Sequence, residues 1–436
     1  MANYKIKHLL VQNIGVFKHL DLQFPESSVD GNADIHIFIG DNGTGKTTLL
    51  EALTYFDKVY NLAFRNKEDK SYSLLIEKAY QNKYYLSIGY EPEIEIIFGD
   101  ANIKFKIKSG TSLTSPEDES FFESYFSDFL NPNNYYHTDY SFFAYNGHRQ
   151  ISDTKVESFK ELEFNPIADA LSFNKSNLNS NIFQWIANNK TRAALSFQEG
   201  KKSDSEKYLR TIQKVEDAIG NIIDRKVEFV IDVHSLKVMI NLDNDSINYE
   251  TLADGYKSVI SWLTDLMFRL DYLSTEENPA FTLFLDEIDV HLHPAAQRRI
   301  LPVIQKLFPN AQIFLTTHSP FIIGSVDGAR VYKFKLDENG HSVLDGEPFE
   351  TEDGNSYEYI LENLFDVHNP FGVEIEKQLK EFYNKRNELI KNTTDLGVDE
   401  LVASSRALAE QSDELRTLIG IEMRQLSRII KKDIVL

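Results

Sequence analysis

The chain has 436 residues, a formal net charge of −21 and no cysteine. Hydrophobic residues make up 42% of it, including 30 phenylalanines and 21 tyrosines, which excludes a disordered chain and leaves one large or two ordinary domains. The lack of cysteine excludes disulfides and thiolate metal sites.

The charge also bears on partners. Proteins that coat DNA non-specifically are usually basic, so this acidity argues against DNA as the dominant partner. It favours a protein partner, or DNA contact only through an assembled groove. No apolar run reaches the roughly 18 residues of a membrane span, and the N-terminus lacks a secretory apolar region. We therefore expect a cytoplasmic protein that does not contact a membrane.

The first 60 residues follow a strand, strand, strand, loop, helix pattern. Strands are predicted over Tyr4–Gln12, Leu20–Phe24 and Ile35–Ile39, and a helix over Thr47–Phe56. This arrangement places a loop between a buried strand and the start of a helix, which is the context that a phosphate-binding loop requires.

That loop, Gly40–Thr47, fits G-x-x-x-x-G-K-[ST] at every fixed position. Glycines let several backbone N–H groups face one point, and the helix N-terminus adds partial positive charge. Lys46 would reach the outer phosphates of a nucleoside triphosphate, and the Thr47 hydroxyl would ligate magnesium.

The middle of the chain alternates between sheet and helix. Residues 111–140 have the composition of an insertion, and residues 151–225 are mostly helical in pattern. The predicted elements are an antiparallel pair over Ile94–Phe98 and Ile103–Ile107, a short strand over Phe142–Tyr145, an amphipathic helix over Asp204–Asp224, a strand pair over Val227–Val233 and Leu236–Asn241, and a loop entering a helix over Thr251–Leu270.

Two later strands end in polar residues. The apolar run Phe281–Leu285 is followed by Asp286 and Glu287, and the run Gln312–Leu315 leads to His318. Parallel strands place such residues at the carboxyl edge of the sheet, where α/β proteins bind ligands. Asp286 would hold magnesium, Glu287 would act as base or orient the attacking water, and His318 would sense the γ-phosphate.

The C-terminal part begins with a predicted strand over Arg330–Lys335. The tail, Tyr357–Leu436, is helical in pattern. Its apolar positions include Leu415, Leu418, Met423, Leu426 and Ile430.

A further run, Leu252–Ser258, opens the helix that precedes the carboxylates. With it the chain resembles the ABC-type ATPases of the RecF and SMC class, in which an L-S-G-G-[QE] signature contacts the γ-phosphate bound to the opposite protomer. Asp286–Pro294 and Thr317–Pro320 resemble the pattern D-E-P-E-x-H-L-H-P … T-H-S-P. That pattern marks the OLD nucleases and the ATPase subunits of bacterial anti-phage systems such as Septu, PARIS and retrons. The resemblance covers residues 1–335 well and the tail loosely.

The resemblance implies ATP and Mg²⁺ as cofactors and assigns roles residue by residue. Lys46, Glu287 and His318 would be catalytic, with His318 as the switch histidine. The triphosphate would be bound by Gly40, Asp41, Asn42, Gly43, Thr44, Gly45, Lys46, Thr47 and Thr48.

The implied metal site combines Thr47, Asp286 and Gln150. Gln150 is the candidate Q-loop residue that links magnesium to the antiparallel lobe. Asn146 or His148 could serve in its place, because all three follow the same short strand.

The resemblance places Gly255 and Ser258 in the signature and Asp289 in the D-loop that crosses a dimer interface. The signature serine is replaced by Ala253 and its first glycine by Asp254. Losing the serine removes a hydrogen bond of order 1–2 kcal/mol, and Asp254 brings a carboxylate near anionic phosphates. A regulatory ATPase is therefore more plausible than a fast motor.

Each of three further residues has two possible roles. His291 and His293 would ligate a metal or, the favoured reading, hold the D-loop. Arg149 would contact phosphate or lie as an ordinary surface arginine.

The resemblance also predicts what the chain does not do. About 100 residues separate Gln150 from Leu252, enough for a short helical lobe and not for the long coiled coils of RecF and SMC relatives. OLD nucleases carry a TOPRIM module with a D-x-D motif, and no D-x-D follows Lys335. We expect no nuclease activity in this chain.

The predicted fold class is α/β: an ABC-type P-loop ATPase head, with a mixed sheet and an antiparallel lobe, plus a short helical insertion and a helical C-terminal tail. Residues 1–150 and 251–336 would form the two halves of the head. Residues 151–250 would form the helical insertion lobe, and residues 337–436 a helical region for oligomer or partner docking.

Three functions remain open. The first is an ATP-hydrolysing subunit that senses and regulates a separately encoded effector nuclease in bacterial anti-phage defence. The alternative is a RecF-like, ATP-dependent DNA-binding clamp in repair or recombination. The third is a scaffold in which nucleotide is structural. In the first two, protomers would pack head to tail with ATP between them, and higher oligomers are possible.

Overall fold

The computed structural model describes residues 4–29, 31–54, 93–99, 103–108, 111–112, 140–147, 150–151, 156, 162, 164, 166–167, 170–173, 177–178, 181–232, 234, 237–274, 276–367, 371–392 and 394–432. The chain divides into two compact units, Met1–Ile360 and Leu361–Leu436. Residues 100–102, between the predicted antiparallel strands, and most of the insertion predicted at 111–140 lie outside the described residues.

The strands of the described residues are numbered in chain order. They are β1 (Ile6–Ile14), β2 (Phe17–Gln23), β3 (Asp34–Gly40), β4 (Glu93–Phe98), β5 (Ile103–Lys108), β6 (Thr111–Ser112), β7 (Ser141–Tyr145), β8 (Gln150–Ile151), β9 (Asn177–Leu178), β10 (Val227–Ile231), β11 (Val238–Leu242), β12 (Asp245–Ile247), β13 (Phe281–Leu285), β14 (Gln312–Thr316), β15 (Arg330–Leu336), β16 (Ser342–Leu344) and β17 (Phe349–Glu350).

The helices are numbered in the same way. They are α1 (Lys46–Leu53), α2 (Asn181–Gln198), α3 (Lys202–Ile223), α4 (Asp254–Leu273), α5 (Pro294–Leu307), α6 (Pro320–Ile323), α7 (Tyr357–Leu364), α8 (Val373–Lys391), α9 (Asp395–Ala409) and α10 (Asp413–Ile430). A short 3₁₀ helix covers Tyr249–Thr251. Among the helices of the described residues, none has the length and apolar character to cross a bilayer.

The central sheet carries the strands that end in the predicted site residues. Its order is β16-β15-β3-β14-β13-β7, and β15, β3, β14, β13 and β7 run parallel. Every residue of β7, β13 and β14 is buried, as expected for parallel strands covered on both faces. Phe284 stacks on Phe314 with ring centroids 5.4 Å apart, and Phe314 stacks on Phe38 at 6.1 Å. The carboxyl ends of β3, β13 and β14 therefore meet at one edge.

A second, antiparallel sheet has the order β2-β1-β4-β5-β6. Strand β1 turns Ile6, Leu9, Val11 and Ile14 inward, and these residues share a core with the helix that follows the phosphate loop. This sheet is the antiparallel lobe that the resemblance implied. Together with the central sheet it confirms the predicted α/β class with a mixed sheet.

Helices α2 and α3 form a hairpin, followed by the three-stranded antiparallel sheet β10-β11-β12. In α3 the buried residues Ile212, Val215, Ile219 and Ile222 recur at helical spacing, which confirms the amphipathic helix predicted there. Helix α4 is buried over most of its length and leads into β13.

The C-terminal prediction needs one correction. Residues 337–436 were expected to be helical, but β16 and β17 lie in this range and pair antiparallel with β15. These strands are two or three residues long, so hydrophobic periodicity does not reveal them. Helices α8, α9 and α10 of the second unit share a core that contains Leu379, Phe382, Leu389, Leu401, Leu408, Leu415, Ile419, Met423 and Leu426.

Candidate nucleotide-binding site

The phosphate loop joins β3 to α1. Gly40, Gly43 and Gly45 have positive φ angles of 144°, 88° and 86°, which other residues rarely adopt. Helix α1 begins at Lys46 with Gly45 as its N-cap and without a side-chain cap bond. The N–H groups of its first turn therefore have no intrahelical acceptor and are directed at the loop, which suits an anionic phosphate.

Lys46 lies within this loop and is buried. Its Nζ donates to the carbonyl oxygens of Gly40 and Asp41, over 2.8 Å and 3.1 Å. Burial lowers the pKa of Lys46, while the nearby carboxylates of Asp286 and Glu287 act to raise it. The ammonium group is thus held at the point where the outer phosphates of a nucleotide would lie.

Asp286 is buried at the end of β13 and accepts hydrogen bonds on both oxygens. Its Oδ2 accepts from the Thr47 hydroxyl over 2.9 Å, and its Oδ1 accepts from the Thr316 hydroxyl over 2.6 Å. Its backbone N–H donates to the carbonyl of Tyr145 over 2.8 Å. A hydroxyl and a carboxylate side by side are the hard oxygen ligands that Mg²⁺ takes beside nucleotide phosphates, so Thr47 and Asp286 fit this cation.

Glu287 follows directly and is half-buried. It has a φ angle of 50°, which is uncommon outside glycine, and its N–H donates to Oγ1 of Thr316 over 2.8 Å. Gly147 packs against it: a Cβ atom at Gly147 would lie 2.9 Å from the Glu287 carbonyl oxygen and 3.1 Å from its Cβ. The backbone of Glu287 is therefore held by neighbours on two sides.

His318 stands exposed beyond the end of β14. Partial desolvation and the positive charge of Lys46 lower the pKa of His318, and the carboxylates of Asp289, Glu287 and Asp41 oppose this shift. These charges belong to the phosphate loop and to the segment that follows β13, so the imidazole is electrostatically coupled to both. A neutral imidazole at this position can accept or donate a hydrogen bond near a terminal phosphate.

Asp289 lies in the loop that follows the carboxylate pair. Its Oδ1 accepts from the Thr317 hydroxyl over 2.7 Å, and Thr317 in turn accepts from the N–H of Ser319 over 3.0 Å. The Ser319 hydroxyl donates to Oε1 of Gln297 over 2.7 Å. These bonds join the segment that carries His318 to the predicted D-loop.

The predicted signature lies against the same D-loop. Gly255 packs on His291, because a Cβ at Gly255 would lie 2.4 Å from the His291 carbonyl oxygen. His293 caps helix α5 by accepting from Ala295 through Nδ1 over 3.2 Å. Ser258 directs its hydroxyl to the carbonyl of Gly147 at 3.5 Å.

Ala253 is the N-cap of α4 and makes no side-chain cap bond, and Asp254 pairs with Lys257 over 3.7 Å. Within the described residues, no hydrogen bond joins Gly255 or Ser258 to the phosphate loop of the same chain.

The Q-loop assignment stays a prediction. Gln150 lies in β8, which pairs in parallel with β9 through Asn177. Asn146 donates its amide to the carbonyl of Phe173 over 2.5 Å. His148 and Arg149 lie outside the described residues.

Four residues at the site were missed by sequence reasoning, namely Gly147, Gln297, Thr316 and Thr317. The threonines directly precede His318, the predicted switch histidine, so their position at a strand end was a usable signal. Gly147 and Gln297 had no comparable signal, because their contacts are with residues far along the chain.

Comparisons with known proteins bear on this geometry. The model of the family described as "AAA domain, putative AbiEii toxin, Type IV TA system" matches residues 35–324. The Septu protein PtuA of Bacillus thuringiensis is 22% identical over 98% of this chain and 99% of its own length. The Retron Ec83 probable ATPase of Escherichia coli is 29% identical over 40% of this chain, and the match spans about a third (32%) of that relative.

Two solved SMC head structures align with most of this chain. The SMC head domain from Thermotoga maritima aligns over 80% of this chain and all (100%) of its own, with 12% identity and a TM-score of 0.39. The SmcHead bound to the C-winged helix domain of ScpA aligns over 80% and 98%, with 14% identity and a TM-score of 0.43.

Proposed function

The chain belongs to the AAA-domain family described as putative AbiEii toxin of a Type IV TA system, and on that footing we propose that it binds ATP with Mg²⁺ and hydrolyses it. The observation that carries this proposal is the position of Asp286. Its two oxygens accept from Thr47 of α1 and from Thr316 of β14, so the phosphate-loop helix and a neighbouring strand both contact the carboxylate that follows β13. The relative named as a probable ATPase supports the same activity.

The proposed roles follow from the geometry. The loop N–H groups and Lys46 bind the β- and γ-phosphates, and Mg²⁺, when bound by Thr47 and Asp286, neutralises charge on them. Glu287 orients or deprotonates the attacking water. His318, beside Lys46 and the carboxylates, contacts the terminal phosphate. The other assignments to Gly40–Thr48 and to Gln150 complete the nucleotide contacts.

We also propose that the complete site needs a second copy of the chain. Gly255 and Ser258 lie against the D-loop and Gly147 rather than the phosphate loop of their own chain. In a head-to-tail pair they would face the nucleotide of the partner, with Asp289 near the interface. Ala253 and Asp254 make this contact weaker than a full signature would, which favours slow, regulated turnover.

In the cell, the chain would act as a defence ATPase that controls a separately encoded effector nuclease. The relative named Septu protein PtuA, which aligns along almost the whole chain, and the retron ATPase support this role. The helices of the second unit would provide the docking surface for the effector, and nuclease activity would reside in that partner.

The activity is tested by ATP turnover in the parent and in Glu287→Gln. We expect the variant to bind Mg·ATP but to hydrolyse it about 10²–10⁴-fold more slowly, the usual contribution of general base catalysis. Glu276→Gln, an exposed change in the loop before β13, is the control and keeps parental turnover. Equal near-zero rates in all three proteins would overturn hydrolysis and leave a structural nucleotide.

The partnership is tested separately, by co-purification with the product of a neighbouring gene and by light scattering with and without ATP. We expect a stable complex with a nuclease, and we expect a chain that ends at Ile360, the boundary between the two units, to lose that complex while it still binds ATP. A lone chain that dimerises with ATP and then holds DNA would instead support the clamp function.

A further inference from the structure

One stripe of helix α4 faces the end of strand β7. Trp262, Asp265 and Arg269 recur on one side of the helix, three or four residues apart. The Trp262 ring lies 6.2 Å from the Tyr145 ring, centroid to centroid, and the Tyr145 hydroxyl donates to Oδ2 of Asp265 over 2.8 Å. The same oxygen accepts from Nε of Arg269 over 2.6 Å. Tyr145 is therefore tethered to the helix that carries the signature residues.

The other side of this strand end contacts the carboxylate pair. Asp286 donates its backbone N–H to the Tyr145 carbonyl over 2.8 Å. Two residues on, Gly147 lies so close to Glu287 that a Cβ there would be 2.9 Å from the Glu287 carbonyl oxygen. Residues 145–147 thus lie between both carboxylates and α4, and Ser258 of α4 reaches the Gly147 carbonyl at 3.5 Å.

The ion pair that holds Tyr145 is fully buried, with Asp265 at 0% and Arg269 at 6% exposure. Oδ1 of Asp265 has no hydrogen-bond partner among the described residues, so the pair is not optimally satisfied. Apolar side chains of similar volume often replace a buried pair at no cost in stability. Stability therefore does not explain why the chain has an ion pair here. The hydrogen bond from Tyr145 to this pair is directional, and it fixes one orientation of the ring.

We propose that Tyr145 is a positioning residue: held by Asp265 and Arg269, it fixes Asp286 and Glu287 relative to helix α4. A displacement of α4 would then move both carboxylates in the same chain. The proposal rests on the proposed ATP binding and hydrolysis at this site. It adds a structural connection from α4, which carries Gly255 and Ser258, to Asp286, the proposed Mg²⁺ ligand.

The test compares Tyr145→Phe with Tyr140→Phe. Tyr140 directly precedes the other end of β7, and it is buried and hydrogen-bonded through its hydroxyl to Thr282 at 2.8 Å. Each variant loses one buried hydroxyl, so we expect similar falls in melting temperature. Tyr145→Phe should in addition lower kcat about 10-fold and raise the Mg²⁺ concentration for half-maximal activity, with the KM for ATP unchanged. Tyr140→Phe should leave all three parameters unchanged.

A double substitution tests the ion pair itself. Asp265→Leu with Arg269→Met replaces the ion pair by apolar side chains and removes the acceptor of Tyr145. The Tyr145 hydroxyl and the Pro166 carbonyl, to which Nη1 of Arg269 donates over 2.8 Å, lose their partners, so we expect a fall in melting temperature. We also expect the same fall in kcat and the same change in Mg²⁺ dependence as in Tyr145→Phe. Parental kinetics in this variant and in Tyr145→Phe would overturn the proposal.

A binding measurement that requires no turnover distinguishes failure of this inference from failure of the proposed function. The shift in melting temperature caused by a non-hydrolysable ATP analogue is measured across a Mg²⁺ titration. A parent that shows no Mg²⁺-dependent shift overturns both the proposed function and the inference. A parent that responds, with a Tyr145→Phe curve that superimposes on it, overturns the inference alone.

Discussion

Thr316 donates its hydroxyl hydrogen to Oδ1 of Asp286 over 2.6 Å. The hydroxyl oxygen of Thr316 in turn accepts the backbone N–H of Glu287 over 2.8 Å. A threonine hydroxyl has one hydrogen to give, so this pattern sets its direction: it donates to one residue of the carboxylate pair and accepts from the other. One hydroxyl on the neighbouring strand thereby fixes both residues.

Thr316→Val keeps the shape of this side chain and removes the hydroxyl. The partly buried N–H of Glu287 loses its acceptor, and the buried Oδ1 of Asp286 loses a donor, which together cost about 1–3 kcal/mol of unfolding free energy. We expect turnover to fall about 10-fold as well, because both carboxylates lose a fixed neighbour. Denaturant unfolding and steady-state ATP hydrolysis measure the two effects.

Thr282→Val is the matched control, because Thr282 is a buried threonine at the start of β13, where its hydroxyl contacts Tyr140. It should lose stability and keep parental turnover. If both valine variants hydrolysed ATP at the parental rate, Thr316 would have no part in positioning the pair.

Gly147→Ala tests the contact behind Glu287. The added Cβ would lie 2.9 Å from the Glu287 carbonyl oxygen, so the backbone must shift, at a cost of about 1–3 kcal/mol. We expect ATP binding to persist and turnover to fall about 10-fold. Gly354→Ala is the control, since a Cβ there meets nothing within 4 Å. Parental turnover in Gly147→Ala would show that the loop absorbs the added methyl group without moving Glu287.

Ala253→Ser introduces the serine that the resemblance places in the signature, and it should increase both stability and the rate of ATP hydrolysis. Ala253 is the N-cap of α4 with extended backbone angles (φ −61°, ψ 144°), the conformation in which a serine hydroxyl caps the first turn. We expect about 0.5–2 kcal/mol of added stability and faster turnover in the presence of ATP. Ala194→Ser, at an exposed position inside α2, should give neither. A lower melting temperature in Ala253→Ser would contradict the capping role.

His36 should make the fold sensitive to acid. It is buried in β3, stacked on Phe314 at 4.9 Å, and burial, followed by the charges of Arg330 and Lys5, lowers its pKa to about 3. Its Nε2 has no hydrogen-bond partner among the described residues. Below pH 6.5 the unfolded chain takes up a proton that the folded chain does not, so stability falls with pH from about 6.5 to about 3.

His36→Phe removes this contribution. Between pH 7.5 and 5.5 the parent should lose about 1.4 kcal/mol of unfolding free energy more than the variant does. The comparison uses the change in unfolding free energy from pH 7.5 to 5.5 in each protein. Absolute stabilities are not compared, because phenylalanine is larger than histidine. His19→Phe, at an exposed position, should keep the parental pH dependence. Parallel pH profiles for the parent and His36→Phe would contradict a buried neutral histidine.

Local patterns predicted much of this protein. The phosphate loop, the strand ending in Asp286 and Glu287, and the strand before His318 are each encoded in a short run of neighbouring residues, and the structure places their ends at one sheet edge. The resemblance to ABC-type ATPases of defence systems is likewise confirmed by the family and its named relatives.

Contacts between distant residues could not be predicted in this way. Tyr145 and Asp265 are 120 positions apart, and Gly147 meets Glu287 only after two parallel strands have paired. The edge strands β16 and β17 were missed because pairing with β15, rather than their own periodicity, makes them strands. Such contacts and strand pairings form only when the whole sheet has assembled, so a local sequence pattern does not encode them.

The chain has two tryptophans, and both lie at helix α4. Trp262 is part of it, and Trp185 of α2 has its ring 5.5 Å from that of Phe268 and donates Nε1 to Asp271 over 3.1 Å, both residues of α4. All indole fluorescence of the protein therefore originates around one helix. Since the chain has no cysteine, a single introduced thiol would also be unique. Movement of α4 on nucleotide addition can thus be followed optically in unlabelled protein, and its distance from any chosen surface position by one dye.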